Sequence, residues 1–189
     1  ERAGLPAVRY TFRMRRDLVP SGERSAAEPI PELGLPDGLR FAAWTPERDE
    51  AARVAKNAAF RDHWGSQPSP PEAWRHLVGQ STARRELSVL VVDEADEIVG
   101  LVLQLVPVED FERQGYASSY LQLIAVTRPW RRRGVAASMM ARALRASLDA
   151  GLEVAALDVD SQNPSGALAL YEGMGFRVVE REQTHQLEY

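Results

Sequence analysis

Residues 131–136 read Arg-Arg-Arg-Gly-Val-Ala, a concentrated positive patch in a chain whose formal net charge is −4. A glycine beside guanidinium groups is suited to holding an anion. The glycine lets the backbone come close to a phosphate, amides at a helix start attract negative charge, and arginines add charge-assisted hydrogen bonds. The alternative is a solvated charge run. The run follows a strand ending at Val126 and a short TRPW loop, and it opens a helix. That strand–loop–helix context favours a phosphate-binding turn. It is neither a Walker loop nor a dinucleotide fingerprint, because GxxxxGK(S/T) and GxGxxG are both missing from it. Metal and thiolate chemistry find little support: there is no cysteine, and His63, His76 and His185 are scattered without metal-ligand spacing.

The elements that must position this turn follow from pattern. AVRYTFRMRR (7–16) alternates as a strand, and residues 17–38, rich in Pro, Gly, Ser and charge, read as a linker or an irregular wrap. LRFAAW (39–44) reads as a strand, and Thr45 with Pro46 opens a helix over 46–60. Ser69 is expected to cap a second helix that Gly79 ends. Residues 86–108 form a hairpin around an acidic turn, and 116–126 form a third long strand. A helix over 135–151, a strand over 152–160, a helix over 164–175 and a strand over 176–189 complete the order. Such an order makes a mixed sheet with helices on its faces.

Composition bounds the function. Hydrophobic residues are 44% and charged residues 26% of the 189, ordinary for a globular chain. The acidic balance, with no interleaving of aromatic and basic residues, argues against nucleic-acid partners, RNA included. No apolar run approaches the roughly 18 residues of a membrane span, and no signal peptide is evident, so a cytoplasmic location is expected.

With a second stretch, NPSGALALYEGMGF (163–176), the chain resembles the GNAT acetyltransferase superfamily. Residues 131–136 fit its pyrophosphate loop, (R/Q)-x-x-G-x-(G/A), and 163–176 fit N-x-x-(A/S)-x-x-x-Y-x-x-x-G-F, with Gly166 in place of Ala or Ser. The resemblance covers about residues 39–189. It implies an acyl-CoA N-acyltransferase fold, α/β (α+β), with a mixed, mostly antiparallel central sheet flanked by helices. It further implies transfer of acetyl from acetyl-CoA to a primary amine by direct attack in a ternary complex, without a metal. Arg131, Arg132, Arg133, Gly134, Val135, Ala136 and Asn163 would hold the coenzyme. The backbone of Ile124 and Val126 would bond the pantetheine arm, with an amide near Ile124 polarising the acyl carbonyl. Tyr171 would be the general acid. A phenol near pKa 10 giving its proton to a thiolate near 8.5 is uphill by about 2 kcal/mol; a helix tyrosine packing on the sheet is the alternative reading.

The base is not assigned. Related enzymes often carry a glutamate on the strand before the loop, where this chain has Tyr120 and Gln122. Glutamine accepts no proton, and an unperturbed tyrosine is a poor base at neutral pH. Asp158, Asp160, His63 and a water chain remain candidates. The acceptor, a small-molecule or peptide amine, is expected near His63, Trp64, Tyr120 and Gln122. FRDHWG (60–65), with its rings and Asp62, suits a bulky or cationic acceptor and resembles a stretch of the mycothiol-synthase-like tandem members of the family. Trp64 and Trp74 could also be core anchors, the reading favoured for Trp74. A non-catalytic acyl-CoA-binding or pairing domain is the alternative function.

The first eight residues, ERAGLPAV, align with 172–179, EGMGFRVV, where such a domain closes. Residues 1–18 therefore read as the last strand of a preceding copy, 19–38 as a linker and 39–189 as the acetyltransferase domain; an ordinary N-terminal strand is the alternative. The first residue, Glu1, suggests a fragment or a processed product. The apolar residues Val8, Tyr10, Phe12 and Met14 should seek cover on this domain, on a second molecule in a homodimer, or on a preceding domain. Residues 39–189 are expected to fold without residues 1–18.

Overall fold

A computed structural model of the chain describes residues 7–20, 27–61, 67–161 and 166–185. Seven strands form one sheet: β1 (Ala7–Asp17), β2 (Arg40–Ala42), β3 (Val89–Val92), β4 (Ile98–Leu105), β5 (Ser118–Val126), β6 (Val154–Asp160) and β7 (Arg177–His185). The helices among the described residues are α1 (Asp49–Phe60), α2 (Pro71–Gly79), α3 (Phe111–Gln114), α4 (Val135–Asp149) and α5 (Ala167–Gly173). The sheet order is β2-β3-β4-β5-β6-β1-β7, antiparallel except where β5 meets β6.

The central strands are apolar on both faces because helices cover both. On one side Leu90, Val92, Leu101 and Leu103 pack with Ala52, Ala55 and Ala59 of α1 and with Trp74 of α2. On the other, Val89, Val91 and Val102 pack with Met139, Met140, Ala143 and Leu144 of α4. The approach of α4 is close enough to require a glycine: a Cβ on Gly100 would lie 2.8 Å from Sδ of Met139. Across this interface Gln104, fully buried, donates to the carbonyls of Leu87 and Ala143 and accepts from Ser147.

Two local expectations are corrected. Ser69 is not the cap of α2, whose first flanking residue is Pro70; its backbone and hydroxyl are taken by Asn57 and Lys56 of α1. The one-turn α3 was not anticipated, since four residues are too few to show a period. Residues 27–38 form an irregular wrap, in which Gly34, Ile30 and Pro31 lend carbonyls to Ser138 and Arg145 of α4.

The leading strand lies inside the sheet. β1 pairs with β6 from Thr11↔Asp160 to Asp17↔Val154 and with β7 from Ala7↔His185 to Arg15↔Arg177. Among the described residues β7 has no other partner strand. Met14 is fully buried and Phe12 packs on the α4-side core. Arg16 reaches from β1 to the Met174 and Glu28 carbonyls, tying the end of α5 and the wrap to the same strand. This pairing bears on the expectation that residues 39–189 fold alone, because removing residues 1–18 would strip β7 of its ladder with β1.

Candidate functional site

β5 and β6 pair in parallel only at Ser118↔Val154, Ser119↔Ala155 and Tyr120↔Ala156. Beyond Tyr120 they separate, and a bulge marks the place: β4–β5 register passes from Leu103↔Leu123 to Gln104↔Leu121 and skips Gln122. Thr127 N–H donates to Val99 O at 2.8 Å. By the alternation of an antiparallel ladder, Ala125 and Leu123 then bond β4, and the backbone groups of Ile124 and Val126 turn toward the opening.

At the far end of β5 the chain makes a single 3-10 turn, Arg128–Trp130, and enters α4 through two residues of positive φ, Arg132 (59°) and Gly134 (81°). The glycine adopts this conformation at little cost. Gly134 O accepts the N–H of Ser138 at 3.1 Å. The amides of Val135, Ala136 and Ala137 therefore precede the helical hydrogen bonds and are left for another acceptor, at the positive end of a 15-residue helix.

The opening is a cleft of about 420 Å³. Ile124, Val126, Arg131, Arg132, Gly134, Val135 and Ala136 line it together with Gly166, Ala167, Leu170 and Tyr171. Eight of the residues picked out from sequence thus share one cavity. Arg133 is not on its wall; it is exposed, its guanidinium 5.1 Å from the Trp130 ring. Arg131 is placed otherwise than a simple phosphate grip: Nε donates to Val126 O at 3.2 Å and a terminal nitrogen to Ala59 O. It fastens the last turn of α1, where a cation is favoured, to the end of β5. Phe60, the first residue of the FRDHWG stretch expected near the acceptor, is also on the wall, as are Ala59 and Trp130, which sequence reasoning passed over because nothing in their types signalled it.

Tyr171 is 9% exposed, its ring 6.4 Å from that of Phe176. Burial pushes its phenol up to about 12. Tyr120 lies outside this cleft, hydrogen-bonded to Asp158; burial first, and the Asp158 charge second, raise its pKa. Asp158 also accepts from Arg13 Nε at 3.2 Å. Gln122 is exposed at the bulge. His63, Trp64 and Asn163 lie outside the described residues. Trp74 is a core anchor, 1% exposed, stacked on Trp44 and donating to Asp49 O at 2.7 Å. Among the described residues no cluster of His, Asp and Glu could hold a metal, and no helix is long and apolar enough to cross a membrane.

Comparison with known proteins matches residues 48–186 to the family model described as "Acetyltransferase (GNAT) domain". A mycothiol acetyltransferase of Paenarthrobacter aurescens is 28% identical over 179 residues, covering 93% of this chain and 54% of that protein. Among solved structures, a GCN5-related N-acetyltransferase from Sphaerobacter thermophilus superposes with a TM-score of 0.75 at 24% identity, over 95% of this chain and 51% of the other. A tandem GNAT protein from the clavulanic acid biosynthesis pathway gives 0.63 at 14% identity, over 96% and 53%. These two likenesses speak for the fold. The chain spans about half the length of the curated relatives it matches.

Proposed function

The chain belongs to the GNAT acetyltransferase family, and from that premise we propose that it transfers acetyl from acetyl-CoA to a primary amine, small-molecule or peptide, in a ternary complex. The observation that carries this is the meeting of three features in one cleft: the backbone of β5 freed from β6, the open amides of α4, and Tyr171. The donor supplies an activated thioester. Ile124 and Val126 orient its arm through their backbone groups, and an amide near Ile124 stabilises the acyl oxygen as negative charge develops. Arg132 and the amides of Val135 and Ala136 receive the pyrophosphate, with Gly134 allowing close approach; Arg133 and Asn163 belong to the same grip, and Arg131 holds the end of β5 beside it. The amine nitrogen bonds the acyl carbon as the carbon–sulfur bond breaks, and Tyr171 protonates the departing sulfur. His63, Trp64, Tyr120 and Gln122 face the acceptor. Neither Tyr120, held protonated, nor Gln122 takes the amine's proton, which passes to Asp158, Asp160, His63 or a water chain.

The half-length match to tandem relatives supports the domain reading as well: residues 1–18 as the closing strand of a preceding copy, 19–38 as the linker, 39–189 as the acetyltransferase domain. It also supports pairing with another GNAT domain. A second reading, a domain that binds acyl-CoA without catalysis, is favoured by the absence of a carboxylate at positions 120 and 122 and by the high pKa of Tyr171. The experiment that separates the two is a panel of amines incubated with acetyl-CoA while free thiol is followed, beside calorimetric titration with acetyl-CoA. Binding with amine-dependent thiol release is expected. Binding without release from any amine establishes the second reading, and no binding overturns both.

A further inference from the structure

On the other side of Phe60 from the acyl cleft lies a separate pocket of about 330 Å³, and Phe60 is on the walls of both. Its most unusual group is Lys56, on α1, which is only 7% exposed. The ammonium donates to Ser69 Oγ at 2.8 Å and has two long contacts, 3.5 Å each, to Asn57 Oδ1 and Gln67 O. All three acceptors are neutral. A buried charge is ordinarily matched by an opposite one, yet among the described residues no Asp or Glu lines this pocket. Arg53 on its wall is satisfied by Glu50 at 2.6 Å. Arg61, also on the wall, forms no ion pair among the described residues. The described walls therefore gather cationic side chains and no carboxylate; Glu50, outside the pocket, is already engaged by Arg53.

We propose that this pocket binds an oxyanion group, carboxylate or phosphate, carried by the acyl acceptor, with Lys56 and Arg61 as its cations. A molecule whose anionic end sits beside Lys56 has its amine directed past Phe60 toward the acyl cleft. The lowered pKa that burial imposes on Lys56 agrees with a site lacking its counter-charge. An ion filling the site would replace two long contacts with a short charge-assisted one. The competing account is that Lys56 only pins residues 67–69 against α1. The proposal rests on the acetyl-transfer reading, so its test includes binding as well as turnover.

The test compares benzylamine with para-aminomethylbenzoate and para-aminomethylphenyl phosphate, each titrated by calorimetry into the whole chain saturated with coenzyme A and each assayed as an acceptor. The anionic probes should bind about tenfold or more tightly than benzylamine, the size expected of one charge-assisted contact. Lys56→Gln and Arg61→Gln should each remove most of that preference while leaving benzylamine and coenzyme A affinities unchanged. Arg61→Gln guards against misfolding of the buried variant, because among the described residues the hydrogen bonds to 67–69 come from Arg53, Lys56 and Asn57. Equal binding of neutral and anionic probes, or a preference that survives both substitutions, overturns the proposal. Anion preference without thiol release from any probe instead strikes the transfer reading and leaves the pocket standing.

Discussion

Replacing Tyr171 with phenylalanine removes one oxygen and keeps the ring that packs against Phe176. Two consequences can be worked out. In the folded chain the phenol stands at about 12, against about 10 in an unfolded one. The folded value is raised, so the associated stability is fully present below about pH 10 and is lost as pH climbs toward about 12. Two units correspond to about 3 kcal/mol at most. Urea denaturation at several pH values should show the parent losing more stability than the variant across that window; Tyr120, raised in both proteins, cancels in the difference. For catalysis, passing a proton from a phenol at about 12 to a thiolate near 8.5 is uphill by about 5 kcal/mol. A turnover near 10 per second has a barrier of about 16 kcal/mol, so that step fits beneath it. Loss of the proton should lower kcat by about 10²–10⁴, with acetyl-CoA affinity nearly constant by calorimetry. A variant turning over at the parental rate would refute the acid role, and an unchanged alkaline profile would refute the burial argument behind it.

Other perturbations test the scaffold. Arg131→Gln should lower stability by about 1–3 kcal/mol, since two carbonyls lose a cationic donor, whereas Arg132→Gln should weaken coenzyme A binding and leave the melt unchanged; the reverse pattern would exchange their roles. Deleting residues 1–18 should abolish a cooperative melt followed by circular dichroism, because among the described residues β7 ladders with β1 alone; a truncated chain melting like the parent would show that β7 finds another partner.

Much of this was written in residue type and spacing, and the remainder was not, for physical reasons. Strand and helix identities followed from periodicity, and the turn at 131–136 followed from glycine and charge placed between a strand and a helix. The position of β1 could not be read, because alternation says that a segment is a strand and is silent about its neighbours. Ser69 shows tertiary structure overriding local preference: a hydroxyl suited to capping is claimed by Lys56 and Asn57 across the helix pair. Arg131 illustrates the limit for charges. Sequence shows the cation, but its acceptors, Val126 O and Ala59 O, are backbone groups 5 and 72 residues away.

The insertion of β1 bears directly on the cleft. Two strands that part in mid-sheet leave backbone donors and acceptors without partners, and such groups are costly unless something else takes them. β5 keeps β4 from Tyr120 to Val126 on one edge, interrupted at the bulge, and β6 keeps β1 from Val154 to Asp160 on its other edge. Each wall is thus held by a ladder behind it, so the opening persists without either strand fraying. The bulge at Gln122 adds twist where the strands part. Val126 O is taken by Arg131, and the other backbone groups that turn from β4 face inward, along the line from Ile124 and Val126 N–H to the amides of α4. An extended chain bearing amides at one end and phosphates at the other complements that line, the amides meeting strand backbone and the phosphates the helix start. The same strand that completes the sheet for β7 therefore also keeps the donor groove open.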